Sequence, residues 1–138
     1  MAKLNLKNIL ITATKAELDF HLCPGMKVEI AYASKTVLEN LREKSQVQKF
    51  DTETGTPFKS IDNDLYVKNY AETIVLGWKG FTGAHLASLV LVDETELDLE
   101  AEIDFDQETA VFLMANCPAF DRWVVNSANA LENFRRSK

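Results

Sequence analysis

The side chains that bind metals or perform nucleophilic chemistry are few and scattered in this sequence. There are two histidines, His21 and His85, and two cysteines, Cys23 and Cys117. A protein zinc site takes three or four His, Cys or carboxylate ligands. Only His21 and Cys23 stand close together, on one face of a predicted strand, and no second ligand pair accompanies them. We therefore expect structural roles for these residues, and we predict no metal and no cofactor.

The cysteine pattern bears on the redox compartment in which the protein works. Cys23 and Cys117 are far apart, and neither belongs to a Cys-x-x-Cys pair. This pattern favours two partly buried thiols in a reducing cytosol, although the sequence alone also allows a long-range disulfide. The chain has no Gly-x-Ser-x-Gly, no His-Glu-x-x-His and no Walker loop. We therefore predict a protein without enzymatic activity.

A glycine-rich segment, Gly77 to Gly83, is a candidate phosphate-binding loop. Three glycines and Lys79 precede a predicted helix, and helix N-termini bind anions. However, the spacing matches neither GxxxxGK[ST] nor GxGxxG, and the segment follows a predicted helix instead of a strand. We interpret it as a tight corner between two helices, with Trp78 and Phe81 packed over it.

The main charge feature is an acidic segment from Asp93 to Glu108, which holds nine acidic residues and no basic one. Acid–base catalysis needs carboxylates whose environments separate their pKa values, whereas so dense a run is more often solvated. We predict an acidic surface loop over residues 93–105, part of which could pair as an edge strand. Since an acidic face attracts a basic partner, the candidate partner-binding residues include Glu96, Asp98 and Glu100.

Composition and length restrict the class of protein. The chain has 138 residues, of which 46% are hydrophobic, so a single domain over residues 1–138 can bury a sizeable core. Its net charge of −6 argues against binding to nucleic acid or to a membrane surface. No apolar run approaches the roughly 20 residues that cross a bilayer.

Periodicity predicts a mainly α-helical fold: a compact domain of four to five helices with a small N-terminal β-hairpin. Alternating residues in 16–22 and 28–32 flank the turn at Pro24-Gly25, which predicts the hairpin. Residues 1–13 have weak periodicity, and we expect a flexible arm there. The turn-rich segment 50–58 predicts either a second small hairpin or an ordered loop.

The clearest predicted helix runs from Asp62 to about Trp78, because Tyr66, Tyr70, Ile74 and Trp78 follow at four-residue steps. Other helices are marked by residues that favour a helix start: Ser34 for a helix to about Gln46, Thr82 for one through Leu91, Asp106 for one to Asn116, and Pro118 for the last helix. The stripe of that last helix comprises Phe120, Trp123, Val124, Ser127, Leu131 and Phe134.

Aromatic residues at helical spacing usually pack inward, and this is our interpretation of Phe120 and Trp123. Contact with a partner protein is the alternative. On that alternative, Phe81 and Phe120 join the candidate partner-binding residues.

Several blocks occur in the same order in a known family, and they cover most of the chain from about residue 27 onward. The pattern resembles the tail assembly chaperones of long-tailed bacteriophages, small proteins encoded between the major tail protein and the tape measure protein. The blocks are Val28 to Ser34, Phe50-Asp51 through Thr54 to Pro57, Ile74 to Thr82, Ile103 to Phe105, Glu108 to Ala110, Phe120 to Val124, and Leu131 to Phe134.

This resemblance implies a non-enzymatic, mainly α-helical protein of the host cytoplasm, absent from the mature virion. Such a protein coats and solubilises the tape measure protein and helps recruit tail tube subunits, the major tail protein. The family commonly has a longer, frameshifted form, of which this chain would be the shorter. Coating a long partner also favours self-association, so we expect a homo-oligomer.

Two alternatives from other classes stay open on the sequence. The chain could be a structural protein of the head–tail junction or of tail completion, which would remain in the virion. It could also be an acidic inhibitor that mimics DNA, although such mimicry needs acidic residues spread over a surface, and here they lie mostly in one segment.

Overall fold

The protein combines helices with two β-sheets. The computed structural model describes residues 14–135, and the predicted arm, residues 1–13, lies outside that range. The structure is 48% helix and 22% strand, and its described part has five α-helices, a three-stranded sheet and a two-stranded sheet. The prediction of a mainly α-helical domain with a single hairpin is therefore wrong. The fold is mixed α/β.

Ten α-helices and strands and two short 3-10 helices follow one another along the described chain. In order they are β1 (Lys15–Asp19), β2 (Lys27–Ala31), α1 (Lys35–Lys44), β3 (Gln46–Phe50), β4 (Pro57–Ile61), α2 (Asn63–Ile74), β5 (Val75–Lys79), α3 (Gly83–Leu89), a 3-10 helix (Glu94–Glu96), α4 (Gln107–Asn116), α5 (Pro118–Asn129) and a second 3-10 helix (Leu131–Phe134).

The N-terminal hairpin lies where the sequence predicts it. Strands β1 and β2 pair antiparallel, and Gly25 in the intervening turn has a φ of 87°, which glycine adopts without a steric penalty. Val28 and Ile30 of β2 are fully buried, as alternation requires of a strand with one face on the core. β1 ends at Asp19, because Phe20 turns into the core and bonds back to Met26.

Strand β5 is the largest departure from the prediction. The helix expected from Asp62 to Trp78 ends at Ile74, and the next five residues form a strand beside β2. The side chains of Ile74 and Val75 are β-branched and favour extended backbone. Pairing with β5 also satisfies backbone groups on the second edge of β2, which would otherwise lack partners in the fold.

The helix starts follow their capping residues. The side chains of Ser34, Thr82 and Asp106 each accept a bond from a backbone N–H of the first helical turn, as predicted. Asp62, predicted only as a helix start, caps α2 in the same way. Pro118 occupies the first turn of α5, and the Cys117 thiol accepts from the N–H of Phe120 as a cap that the sequence does not predict.

The apolar stripe predicted for the last helix is broken. Helix α5 ends at Asn129, and Leu131 is 50% exposed in the following 3-10 helix. Phe134 instead packs against Tyr32, with ring centroids 5.2 Å apart. The break places the second 3-10 helix beside the three-stranded sheet.

The core lies between one face of the three-stranded sheet and the helices α2, α4 and α5. The opposite face of that sheet is charged, and it carries the exposed ion pairs Lys15–Glu29, Lys27–Asp19 and Lys79–Glu17 at 3.3, 3.7 and 3.4 Å. No helix among the described residues is both long and apolar enough to span a bilayer. The largest fully buried side chains are Phe20, Met26, Val28, Ile30, Leu41, Ile74, Val75, Phe81, Leu113, Phe120 and Val124.

Candidate functional site

The structure separates His21 from Cys23. His21 is exposed in the turn after β1, with its ring edge-on to Phe20 at 5.7 Å, whereas Cys23 is fully buried. The two were expected on one face of a strand, but β1 ends before either residue is reached. Within residues 14–135, no three His, Cys, Asp or Glu side chains come together in a group that could hold a metal ion.

Both cysteines are buried free thiols. Burial, together with the nearby Cys117, raises the pKa of the Cys23 thiol to about 11. The thiolate is the reactive form of cysteine, so Cys23 is held in its unreactive state. The Cys117 thiol caps α5 and lies 3.8 Å from the carbonyl of Leu89. The surroundings of both cysteines therefore indicate structural roles.

The glycine-rich segment joins a strand to a helix, so its interpretation as a helix–helix corner is wrong. Gly80 has a φ of 75° and donates its N–H to the Glu102 carboxylate at 2.9 Å. The N–H groups of Gly83 and Ala84 donate to the carbonyls of Ala101 and Leu99. The amides that would hold a phosphate at the start of α3 are thus bonded to the chain itself.

The acidic segment runs along the surface. Glu96, Asp98 and Glu100 are exposed, and none of them forms an ion pair with a basic residue of the range 14–135. Asp98 shapes the backbone, because its carboxylate accepts from the N–H groups of Glu100 and Ala101 at 3.0 and 3.3 Å. The three candidate residues are therefore together and accessible.

The two aromatic candidates lie in the core. Phe81 and Phe120 are 0% exposed, and both pack edge-on against Trp78, with ring centroids 5.4 and 6.5 Å away. The structure does not bring them to the acidic surface. Their rings offer no area to a partner in this fold, so we do not include them in the contact surface proposed below.

An exposed hairpin, formed by β3 and β4, is a surface that the sequence only partly indicated. Segment 50–58 was expected as a hairpin or a loop; the hairpin forms, and it extends from Gln46 to Ile61. Within the described chain, neither strand pairs with a third strand, and almost all of its side chains are exposed. Phe50 is 62% and Phe58 48% exposed.

The register places these two rings on opposite faces of the ribbon. Phe50 pairs with Pro57, and Phe58 pairs with Lys49; successive pairs point to opposite sides of a sheet. Each face therefore presents an aromatic side chain to solvent. A two-stranded hairpin with no packed face is marginally stable in water, so we expect this one to gain stability when a partner covers it.

Ser45 anchors the base of the exposed hairpin. Its hydroxyl donates to the carbonyl of Leu41 at 2.7 Å and accepts from the side-chain amide of Asn69 at 3.2 Å. Its carbonyl accepts from the N–H of Asp62 at 2.9 Å. Ser45 is fully buried. The hairpin thus projects from a fixed point between α1 and α2.

A cleft of about 230 Å³ lies between α2 and α5. Asp121, Val125 and Asn129 line it at four-residue steps of α5, opposite Tyr66 and Tyr70 of α2. Burial raises the pKa of the Asp121 carboxyl, an effect that the neighbouring Arg122 only reduces. The remaining lining residues are Leu38, Val67 and Met114.

Tyr70, which lines this cleft, has a buried polar atom without a hydrogen-bond partner among the described residues. Its side chain is 4% exposed, and its hydroxyl is buried without a hydrogen-bond partner among the residues described. Burial, with smaller contributions from Tyr66 and Asp121, raises the pKa of the phenol above its ordinary value. The group is therefore a neutral hydroxyl. The four-residue spacing predicts Tyr66 and Tyr70 as core positions, and nothing in the sequence connects them with Asp121.

These features define a small mixed α/β protein whose accessible candidate surfaces are an exposed hairpin with two aromatic side chains, an acidic segment and a partly aromatic cleft. A model of the YdaY prophage protein family matches residues 27–138. The chain belongs to this family, and the protein is phage-derived. No curated protein and no solved structure matches the chain.

Proposed function

We propose that the protein is a non-enzymatic phage tail assembly chaperone that binds and solubilises the tape measure protein. The observation that supports this most is the exposed hairpin, which presents Phe50 and Phe58 on opposite faces. An aromatic side chain held in water on an otherwise unpacked ribbon is typical of a surface that a partner protein covers. Membership of a prophage family and the resemblance to tail chaperones supply the class of partner.

Within residues 14–135, no further strand pairs with the outer edges of β3 and β4, and this suggests how such a partner binds. An exposed strand edge accepts an extended segment of another chain, with main-chain hydrogen bonds and side-chain contacts on alternate positions. A tape measure protein has long apolar stretches that need cover before the tube encloses them. In this proposal the hairpin holds such a stretch, and the net charge of −6 keeps the complex soluble.

The assembly role has further consequences for partners and location. The protein acts in the host cytoplasm, forms homo-oligomers along the tape measure protein, and helps bring the major tail protein to it. It is released before the virion is complete. A structural protein of the head–tail junction would share the family and the exposed hairpin, but would stay in the particle.

Co-expression with the tape measure protein tests the proposal. We expect this chain to keep that partner in the soluble fraction, and the double variant Phe50→Ser, Phe58→Ser to lose most of the effect. Leu91→Ser is the matched control, because Leu91 is fully exposed at 105% and lies outside the hairpin. A soluble partner with all three forms, or with none, would contradict the proposal.

Mass spectrometry of purified virions decides between chaperone and structural protein. The chaperone proposal expects the chain in infected-cell lysates and its absence from particles. Stoichiometric recovery of the chain from particles would establish the structural alternative in its place.

A further inference from the structure

The cleft between α2 and α5 combines a carboxylate with aromatic and apolar walls, which the exposed hairpin does not. A carboxylate, Asp121, stands in partly apolar surroundings opposite two tyrosine rings. No basic side chain of residues 14–135 lies within ion-pair distance of Asp121, and no hydrogen-bond donor of that range reaches its carboxylate. A partly buried carboxylate without an ion-pair partner is unfavourable, and the charge of the adjacent Arg122 offsets this only in part, so a cation in the cleft would compensate it further.

The aromatic lining favours the same kind of ligand. The rings of Tyr66 and Tyr70 have centroids 6.0 Å apart and are tilted by 38°. The faces of aromatic rings carry partial negative charge and attract cations within about 6 Å. Both tyrosines and Asp121 line one cleft. A cationic side chain is thus complementary both to the carboxylate and to the aromatic lining of the cleft.

The size and the apolar lining of the cleft restrict the choice of ligand further. The cleft holds about 230 Å³, less than the roughly 300 Å³ at which pockets for drug-sized molecules begin. One side chain fits better than a whole cofactor. Leu38, Val67 and Val125 supply apolar walls suited to the methylene stem of a lysine or arginine, which packs on apolar surface while its charged end makes polar contacts.

We propose that this cleft binds a lysine or arginine side chain of a partner polypeptide, with its stem against Val67 and Val125 and its charged group at Asp121 and the tyrosines. The overall charge of −6 favours approach of such a basic segment. This inference deepens the proposed function, on which it rests for the occupant being a protein. It assigns a second contact, chemically distinct from the exposed hairpin.

Binding of defined amides tests the chemistry of the cleft directly. The probes are Nα-acetyl-lysine N-methylamide, whose side-chain ammonium is free, and its norleucine counterpart, which keeps the stem but lacks the ammonium group. Titration of the full chain is followed by ¹H–¹⁵N NMR. We expect the lysine probe to shift the backbone signals of Tyr66, Asp121 and Val125, and the norleucine probe to bind at least tenfold more weakly. Equal binding of the two probes, or no binding of either, overturns the proposal.

Variants locate the site. Asp121→Asn should raise the Kd for the lysine probe about tenfold or more, as loss of one charge-assisted contact does. Asp104→Asn is the control, since it removes an equal charge from an exposed position outside the cleft. Val125→Phe should block the cleft while every charge is kept. If Asp121→Asn and Asp104→Asn bind alike, the assignment fails.

Peptide probes distinguish a protein ligand from a free amine. A ten-residue peptide with a central lysine should bind more tightly than the single amide, and changing that lysine to norleucine should remove the gain. A peptide no better than the amide would point to a small-molecule amine and overturn the protein occupant. Because neither probe derives from the tape measure protein, this site can fail while the chaperone proposal holds, and the reverse.

Discussion

Among single residues, Trp78 joins the sheet to the acidic segment. Its indole N–H donates to the carbonyl of Ile103 at 2.9 Å, and its ring packs edge-on against Phe81 and Phe105, with centroids 5.4 and 4.8 Å away. Edge-to-face pairs stabilise beyond the area they bury. Trp78 therefore links β5 to the C-terminal part of the acidic segment.

We expect Trp78→Ala to lower the free energy of unfolding by about 3 kcal/mol, at the low end for tryptophan truncations because Trp78 is only partly buried. Trp78→Phe keeps much of the packing but leaves the carbonyl of Ile103 unpaired, which costs about 1 kcal/mol. Urea unfolding of both variants measures the difference. A Trp78→Ala protein as stable as the wild type would show that this cluster does not hold the fold.

Asp106 contributes to stability in a pH-dependent way. Its carboxylate accepts from the N–H of Thr109 at 2.7 Å, and this bond lowers the pKa of the carboxyl below its ordinary 3.8. A lowered folded-state pKa means that the stabilisation is complete above the unfolded value and is lost as the pH falls through the folded value. The cap of α4 is thus sensitive to acid.

Thermal unfolding between pH 7 and pH 2 tests the cap. Asp106→Ala should lower Tm at pH 7, and its difference from the wild type should narrow as the pH falls below about 4. Asp106→Asn keeps a capping oxygen without a titrating group, so its Tm should respond less to acid. A constant difference between wild type and Asp106→Ala across the range would contradict a role for the ionised carboxylate.

The ionisation of Asp121 has the opposite effect on stability. Its pKa is raised by burial, so the folded state binds the proton more tightly and loses stability as the pH rises through the folded value. Asp121→Asn should therefore raise Tm at pH 7, with the gain disappearing below about pH 4. Such a gain would mean that the wild type keeps an unfavourable carboxylate, as expected of a binding residue. A lower Tm for the variant at pH 7 would argue against this.

At the scale of secondary structure elements, the sequence predicts helix starts better than helix ends. Ser34, Asp62, Thr82 and Asp106 act locally, through bonds to amides three residues away, so their effect is visible in the sequence. The end of α2 depends on the free edge of β2, which lies more than forty residues earlier in the chain. The four-residue spacing up to Trp78 also fits a helix, and tertiary pairing overrides it.

The turn after β5 depends on a close approach of two backbones. A Cβ at Gly80 would collide with the carbonyl oxygen of Gly25, and Gly80 has a φ of 75°. Gly77, three residues earlier, has open space at the Cβ position and no positive φ. The same substitution therefore has different consequences at two glycines of one segment.

We expect Gly80→Ala to destabilise the fold by at least about 2 kcal/mol, from backbone strain and the clash with Gly25. Gly77→Ala should change stability by no more than about 0.5 kcal/mol. Chemical denaturation of the two variants under one set of conditions provides the comparison. Equal effects would mean that the turn can relax away from Gly25.

On the scale of the whole molecule, the candidate surfaces differ in how well the sequence predicts them. The exposed position of Glu96, Asp98 and Glu100 follows from charge density alone. The cleft does not, because Tyr66 and Asp121 come into proximity only when α2 and α5 pack together. Phe81 was a partner-binding candidate, but burial removes it from the surface, since one sequence cannot distinguish a core aromatic from an interface aromatic.

The distribution of charge leads to a prediction about association rates. Changing Glu96, Asp98 and Glu100 to their amides brings the net charge from −6 to −3 and leaves the core untouched, because all three side chains are exposed. Electrostatic steering by a charged face raises association rates by tenfold or more at low salt. The triple variant should therefore bind a basic partner several-fold more slowly, with a change in stability of no more than about 0.5 kcal/mol.

The position of the charges, and not only their number, should affect the association rate. A control with amides at Glu39, Glu43 and Glu132 also has a net charge of −3, but its changes lie outside the acidic segment. If that segment steers the partner, stopped-flow association at low salt should be slower for the first variant than for the control. Near 1 M salt, where charges are screened beyond about 3 Å, the rates should converge. Equal slowing in both variants would assign the effect to net charge alone, because no particular face would then guide the encounter.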